Sequence, residues 1–153
     1  VNPFDPKSAL LAKHAQHVVL VHFPIALSLT GVAFDFAAHW TKEATRRATL
    51  AAAARLNIIA AAAFVLPTLA TGIAAWQWQL AGHKPRGLLL LHVAFGCASG
   101  LLVFLVGWIH FRQRRVAGSL LPAYCLSLEL VTVIVVALTG HLGGFLSGVN
   151  VPG

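Results

Sequence analysis

Acidic side chains are nearly missing from this chain: four among 153 residues, against eleven lysines and arginines. Charged residues of both signs together make up 10%, where a soluble domain carries roughly 25%. That scarcity argues against an ordinary water-exposed surface. The formal net charge of +7 comes from the shortage of acids rather than from a long basic tract. The basic residues stand in short clusters between apolar runs, with no broad basic face and no aromatic platform, so nucleic acid is excluded as a partner. Anionic lipid headgroups are the partner these clusters fit.

Methionine is absent, so Val1 is not read as a translation start and residues ahead of it are admitted. Residues 1–17 lack the basic, apolar, small-residue succession of a signal peptide. Targeting information is therefore expected in the first apolar run or ahead of Val1. The two cysteines, Cys97 and Cys125, lie inside apolar segments. They read as small buried hydrophobes and say little about redox compartment.

What the chain has in quantity is hydrophobic sequence, 58% of its residues. Four stretches meet the length of about 20 apolar residues that a membrane-spanning helix needs. They run from Val18 to Ala38, from Thr49 to Ala70 with a continuation toward Trp78, from Gly87 to Phe111, and from Leu120 to Gly140. The expected fold is all-α, one four-span membrane domain over residues 1–153, packed as a four-helix bundle with short connections. Residues 2–17 suggest a short interfacial helix, capped by Asp5 or Ser8, with Leu10 and Leu11 as a weak apolar face. The glycines after Gly140 suggest a turn-rich tail along the membrane surface.

Lys42, Arg46 and Arg47 follow the first span, and Arg112, Arg114 and Arg115 follow the third. Alternating spans put these clusters on one side, opposite Lys7, Lys13, Lys84 and Arg86. The positive-inside rule then places both chain ends outside, in the periplasm if the membrane is a bacterial inner membrane. Trp40, Trp76, Trp78 and Trp108 fall near span ends, as an aromatic belt requires.

Histidine supplies the candidate chemistry. His22 lies about one turn inside the first span, His92 about one turn inside the third, and His141 at the exit of the fourth. Alternation brings all three to one membrane face, and a neutral imidazole ligates a metal without adding charge to an apolar bundle. His22 and His92 are candidate axial ligands of haem b, with His141 an alternative ligand or a propionate partner. From His92, steps of three and four reach Gly96, Ser99 or Gly100, Val103, Gly107 and His110. The small residues, Gly96 and Gly100 above all, leave room for a flat porphyrin; equally, G-x-x-x-G is a common helix-packing motif. A transition-metal site on His22, His92 and His141 is the third reading. Pro24 removes a helical hydrogen bond and exposes a carbonyl as a local partner, unless it marks a helix start.

The other histidines carry less. His39 and His110 read as interfacial residues near headgroups, with a second haem between them as the weaker version, and His14, His17 and His83 as solvated or interfacial, with a place in the lining of the outer site as the lesser alternative. Asp35, Asn57 and Glu129 sit in the inner half. Glu129 is costly in hydrocarbon unless paired or protonated; Arg55 is a candidate partner, and an interhelical hydrogen bond involving Asn57, Glu129 or Thr132 is the structural reading. Asp35 is placed shallow enough to be wet. No nucleophile–base pattern accompanies the carboxylates.

His22-Phe23-Pro24, Ala70-Thr71-Gly72, His92 and Gly140-His141-Leu142-Gly143-Gly144 together resemble the bacterial membrane proteins called domain-of-unknown-function family 2231. The resemblance covers nearly the whole chain and implies a four-span bundle in which His22, His92 and His141 act together. Many relatives carry an acidic residue shortly after the span-two glycine, where this chain reads Gly72-Ile73-Ala74-Ala75-Trp76. An outer metal site using that carboxylate is therefore not expected. The leading functional expectation is a b-type haem electron-transfer protein, or a subunit of a larger membrane redox complex, not catalytic alone. It would sit among lipid and other integral membrane subunits, with a periplasmic electron carrier as a further partner. The alternatives are a cofactor-free structural subunit and a histidine metal-binding membrane protein.

Overall fold

The computed structural model describes residues 15–79, 83–113 and 120–148. The expected amino-terminal helix, Lys7, Lys13, His14, Arg114, Arg115 and the last five residues lie outside them. Among the described residues four helices follow one another: α1 (Ala15–Trp40), α2 (Ala44–Gln79), α3 (Gly87–Gln113) and α4 (Ala123–Leu146). Each is long and apolar enough to cross a membrane. They close into a ring, α1 on α2, α2 on α3, α3 on α4, and α4 back on α1. Helices are the economical choice because hydrocarbon offers no hydrogen bonds to a bare backbone.

The buried stripes run at helical spacing. In α3 they are Ser99, Gly100, Val103, Val106, Gly107 and His110, and in α4 Cys125, Glu129, Thr132, Val136 and Thr139. Ala61, Val65, Val103 and Val136 form one apolar cluster, and Val32, Ile58 and Val106 another. Outside the stripes, large apolar side chains such as Leu56, Leu66, Leu101 and Ile134 are exposed, which suits a surface facing lipid. Cys125 is buried as expected, whereas Cys97 is exposed, on the outward side of α3.

α2 starts five residues before the expected Thr49 and spans 36 residues. Its first turn is anchored by Glu43, whose two carboxylate oxygens accept hydrogen bonds from the backbone N–H groups of Thr45 and Arg46, both at 2.7 Å. These N–H groups, that of Arg46 first, hold the Glu43 carboxyl below the usual carboxylate range. A run of alanines then favours continued helix. α4 also outruns its expected end at Gly140, continuing through Gly143 and Gly144 to Leu146. Propensity loses there because Gly143 packs against the His92 ring and the backbone bonds internally. Ser147 and Gly148 then close the helix onto Gly143 O and Phe145 O, with Gly148 at a φ of 78° that favours glycine.

Pro24 lies inside α1 rather than at its start. It cannot donate to the carbonyl of Leu20, and the Thr68 hydroxyl of α2 donates there instead, at 3.4 Å. The helices are also tied by Thr30, whose hydroxyl donates to Asn57 Oδ1 at 3.2 Å, the interhelical bond expected of Asn57.

The α2–α3 contact depends on absent side chains. A Cβ at Gly107 would strike the Cβ of Ala62, a small group with nowhere to rotate. Gly107→Ala is expected to destabilise the bundle by about 1–3 kcal/mol, read from thermal or detergent-induced unfolding. Loss of the Glu43 side chain in Glu43→Ala should raise amide exchange at Thr45 and Arg46 without unfolding the rest. The folded carboxyl is the stronger acid, so wild type should keep this protection above the unfolded pKa and lose it as pH falls through the folded one.

Candidate metal centre

At the end of the bundle where α1 and α3 finish and α4 begins, three ionisable side chains converge. Asp35 comes from α1, His110 from α3 and Glu129 from α4. They are 2%, 3% and 1% exposed, and one ligand atom from each lies within 4.8 Å of the other two. His110 Nε2 is 2.7 Å from Glu129 Oε1 and 4.0 Å from Asp35 Oδ2. Asp35 Oδ2 and Glu129 Oε2 are buried without a hydrogen-bond partner. A cavity of about 10 Å³ adjoins the group, lined by Asp35, Ala51, Arg55, His110, Gln113 and Leu121.

Each residue arrives there by the phase of its helix. Along α1 the buried positions Pro24, Ser28, Val32, Asp35 and Ala38 recur every three or four residues. Asp35 is therefore in the core rather than wet. His110 ends the small-residue stripe of α3, and Glu129 stands one turn after Cys125 on the stripe of α4. His39 sits just beyond, its ring nitrogens each 2.9 Å from the carbonyl oxygens of Asp35 and Leu121. It pins the approach to α4 onto α1.

His110 is thus a core residue, not an interfacial one, and it, rather than Arg55, is the partner of Glu129. His39 and His110 do not meet as a ligand pair: His39 spends both ring nitrogens on carbonyls, while His110 turns to the carboxylates. The signal in the sequence was their phase: Asp35 and Glu129 occupy stripe positions in helices that carry no other described acid.

The three histidines singled out by depth are placed differently. His22 is exposed, with Nδ1 2.6 Å from Val18 O on its own helix. His141 is exposed, its ring edge-on to Phe145 with centroids 4.9 Å apart. His92 is half-buried and faces His17. Among the described residues, His22, His92 and His141 do not bring ligand atoms together as the Asp35 group does. Helical phase separates them: Pro24 minus seven is His17, whereas His22 is off that stripe, and Thr139 plus four is Gly143, whereas His141 is not.

Gly100 and Gly107 of α3 serve packing. A Cβ at Gly100 would meet Leu69 Cδ1 at 3.1 Å and Val65 Cγ1 at 3.4 Å, so α2 fills the space that a porphyrin would need there. Gly96 is more open, its nearest neighbour being Thr139 Cγ2 at 3.9 Å.

Fold and site together define a four-span integral membrane protein with a buried imidazole–dicarboxylate cluster. The chain belongs to the family described as predicted membrane protein DUF2231, whose pattern it matches over residues 13–150. No curated protein and no solved structure matches it.

Burying three such groups is tolerated because they face one another, and removing one strands the others. Glu129→Ala is expected to destabilise the protein by about 3–5 kcal/mol. Replacing Asp35, His110 and Glu129 together by leucine should cost less than the single change, as unfolding in detergent would measure.

Proposed function

We propose that this protein binds a divalent transition-metal ion within the membrane, held by Asp35, His110 and Glu129. The observation that carries this reading is the convergence of three buried ligand atoms from three helices within 4.8 Å, two of the residues also holding an unpartnered carboxylate oxygen. Buried carboxylates are stable only with a counter-charge or a proton, and a divalent cation supplies that charge to both at once. Two carboxylates and one imidazole suit zinc, manganese or ferrous iron better than the thiolate-seeking ions. Three protein ligands leave a coordination position open, and the adjoining cavity is about the size of one water. When bound, the ion would act as a Lewis acid or a structural clamp. The chain's part is to fix the ligands on three rigid helices and keep bulk water out.

The same reading puts the cluster near the cytoplasmic face of a bacterial inner membrane, since Lys42, Arg46, Arg47 and Arg112 flank that end. Both termini are then periplasmic. Lipid and other integral membrane subunits are its expected neighbours, because most of the apolar surface faces outward. A b-type haem on His22 and His92, exchanging electrons with a periplasmic carrier, rests on spacing along the chain, and the exposed His22 and the covered Gly100 lend it less support.

Metal analysis of protein purified from metal-replete cells tests this. About one divalent ion per chain is expected, falling at least tenfold in an Asp35→Asn/Glu129→Gln double variant that keeps its helical circular dichroism. Wild-type protein that takes up no zinc, manganese or ferrous iron on titration would overturn the reading, as would full retention by the double variant.

A further inference from the structure

The opposite end of the bundle holds a second, chemically different group. His17 stands near the start of α1 and His92 in the second turn of α3, with ring centroids 6.5 Å apart and planes at 80°. Each ring is seated on a glycine of a third or fourth helix. A Cβ at Gly72 of α2 would lie 2.9 Å from His17 Cε1, and one at Gly143 of α4 would lie 3.1 Å from His92 Cε1. Any larger residue at either place would push its ring away. All four helices thus contribute to holding two imidazoles opposite each other.

One nitrogen of His17 is engaged with the backbone, which sets the other free. His17 Nδ1 is 3.1 Å from Thr68 O, with the Thr71 hydroxyl at 3.5 Å. A carbonyl that takes the Nδ1 proton leaves Nε2 as a free lone pair, the arrangement that commonly orients a metal-ligating histidine. His92 Nδ1 is buried and makes no hydrogen bond of good geometry, with the Thr139 backbone beside the ring. Two imidazoles on one ion, each bond about 2.0 Å, put ring centres roughly 6 Å apart. The observed separation is close to that.

Charge decides which ion. Of the four acidic residues in the chain, Asp35, Glu43 and Glu129 lie at the other end, and Asp5 is outside the described residues. Among the described residues the pair therefore offers two neutral donors with no carboxylate beside them, and the solvation penalty of an ion taken up there climbs steeply with its charge. We propose that His17 and His92 form a second site, for a monovalent copper ion held between two imidazoles. α3 carries both centres: His92 and His110 are 18 residues apart, about 27 Å of helix.

Copper(I) binding, measured anaerobically in detergent by competition with bicinchoninate, tests the assignment. One copper per chain is expected, with a two-nitrogen shell by X-ray absorption. Affinity should fall at least tenfold in His17→Asn and in His92→Asn, and also in Gly72→Ala and Gly143→Ala, which move the rings without removing a ligand. Asp35→Asn/Glu129→Gln should keep its copper, and His17→Asn its divalent ion, so this assignment and that of the carboxylate centre stand or fall separately. Folded wild-type protein that leaves all copper with the competitor would overturn it, as would undiminished, wild-type affinity in the two histidine variants.

Discussion

Everything in this bundle follows from the apolar layer that its four helices are built to cross. A backbone carbonyl, a carboxylate or an imidazole in hydrocarbon must find a partner inside the protein, since solvent offers none. Leu20 O, which Pro24 cannot serve, is met by Thr68 of the neighbouring helix. Asp35, His110 and Glu129 face one another, and His39 spans two carbonyls. The ionisable groups gather at the two ends of the ring, while hydroxyls and an amide such as those of Ser28, Ser99, Thr132 and Asn57 lie along its middle. Between them lie the valine, alanine and isoleucine clusters that fix the helices in register.

The glycines complete the same logic from the opposite direction. Apolar helices gain little from hiding surface that lipid covers equally well, so close approach and dispersion decide the packing. Gly100 and Gly107 let α2 side chains sit against the α3 backbone. Gly72 and Gly143 do for two imidazole rings what the other pair does for aliphatic groups. A stripe of small residues therefore reads two ways in one molecule, and the neighbour determines which.

Number and type of elements were legible in the chain because hydropathy over about 20 residues is a strong, additive signal. Ends were less so: the start of α2 depends on the Glu43 contacts with two amides, and the end of α4 on a glycine packed against a ring. Neither shows in a hydropathy run. Depth in the membrane was also readable, since it counts residues from a span end. Depth alone grouped His22 with His92, but facing requires phase, and His17 rather than His22 shares the phase of Pro24, Ser28 and Asp35. The same reasoning lifts His110 from the interface to the core. Glu129 was recognisable as costly, though its partner on another helix was not, because sequence does not state which stripes meet.

The length of α2 carries a consequence for the surrounding lipid. Its 36 residues make about 54 Å of helix, well beyond a hydrocarbon layer of about 30 Å, while its three partners are 24 to 27 residues. Exposed Trp78 near one end of α2 and Trp40 just ahead of the other are anchors that favour the interface. The first turn of α2 carries Arg46 and Arg47 and its last Trp76 and Trp78, so the excess stands among the headgroups, and a rod with that reserve answers a change of thickness by leaning. Because α1 and α3 are packed along it, the whole ring leans as one body. Bilayer thickness is thus converted into orientation, and the spacing of the side chains inside is spared.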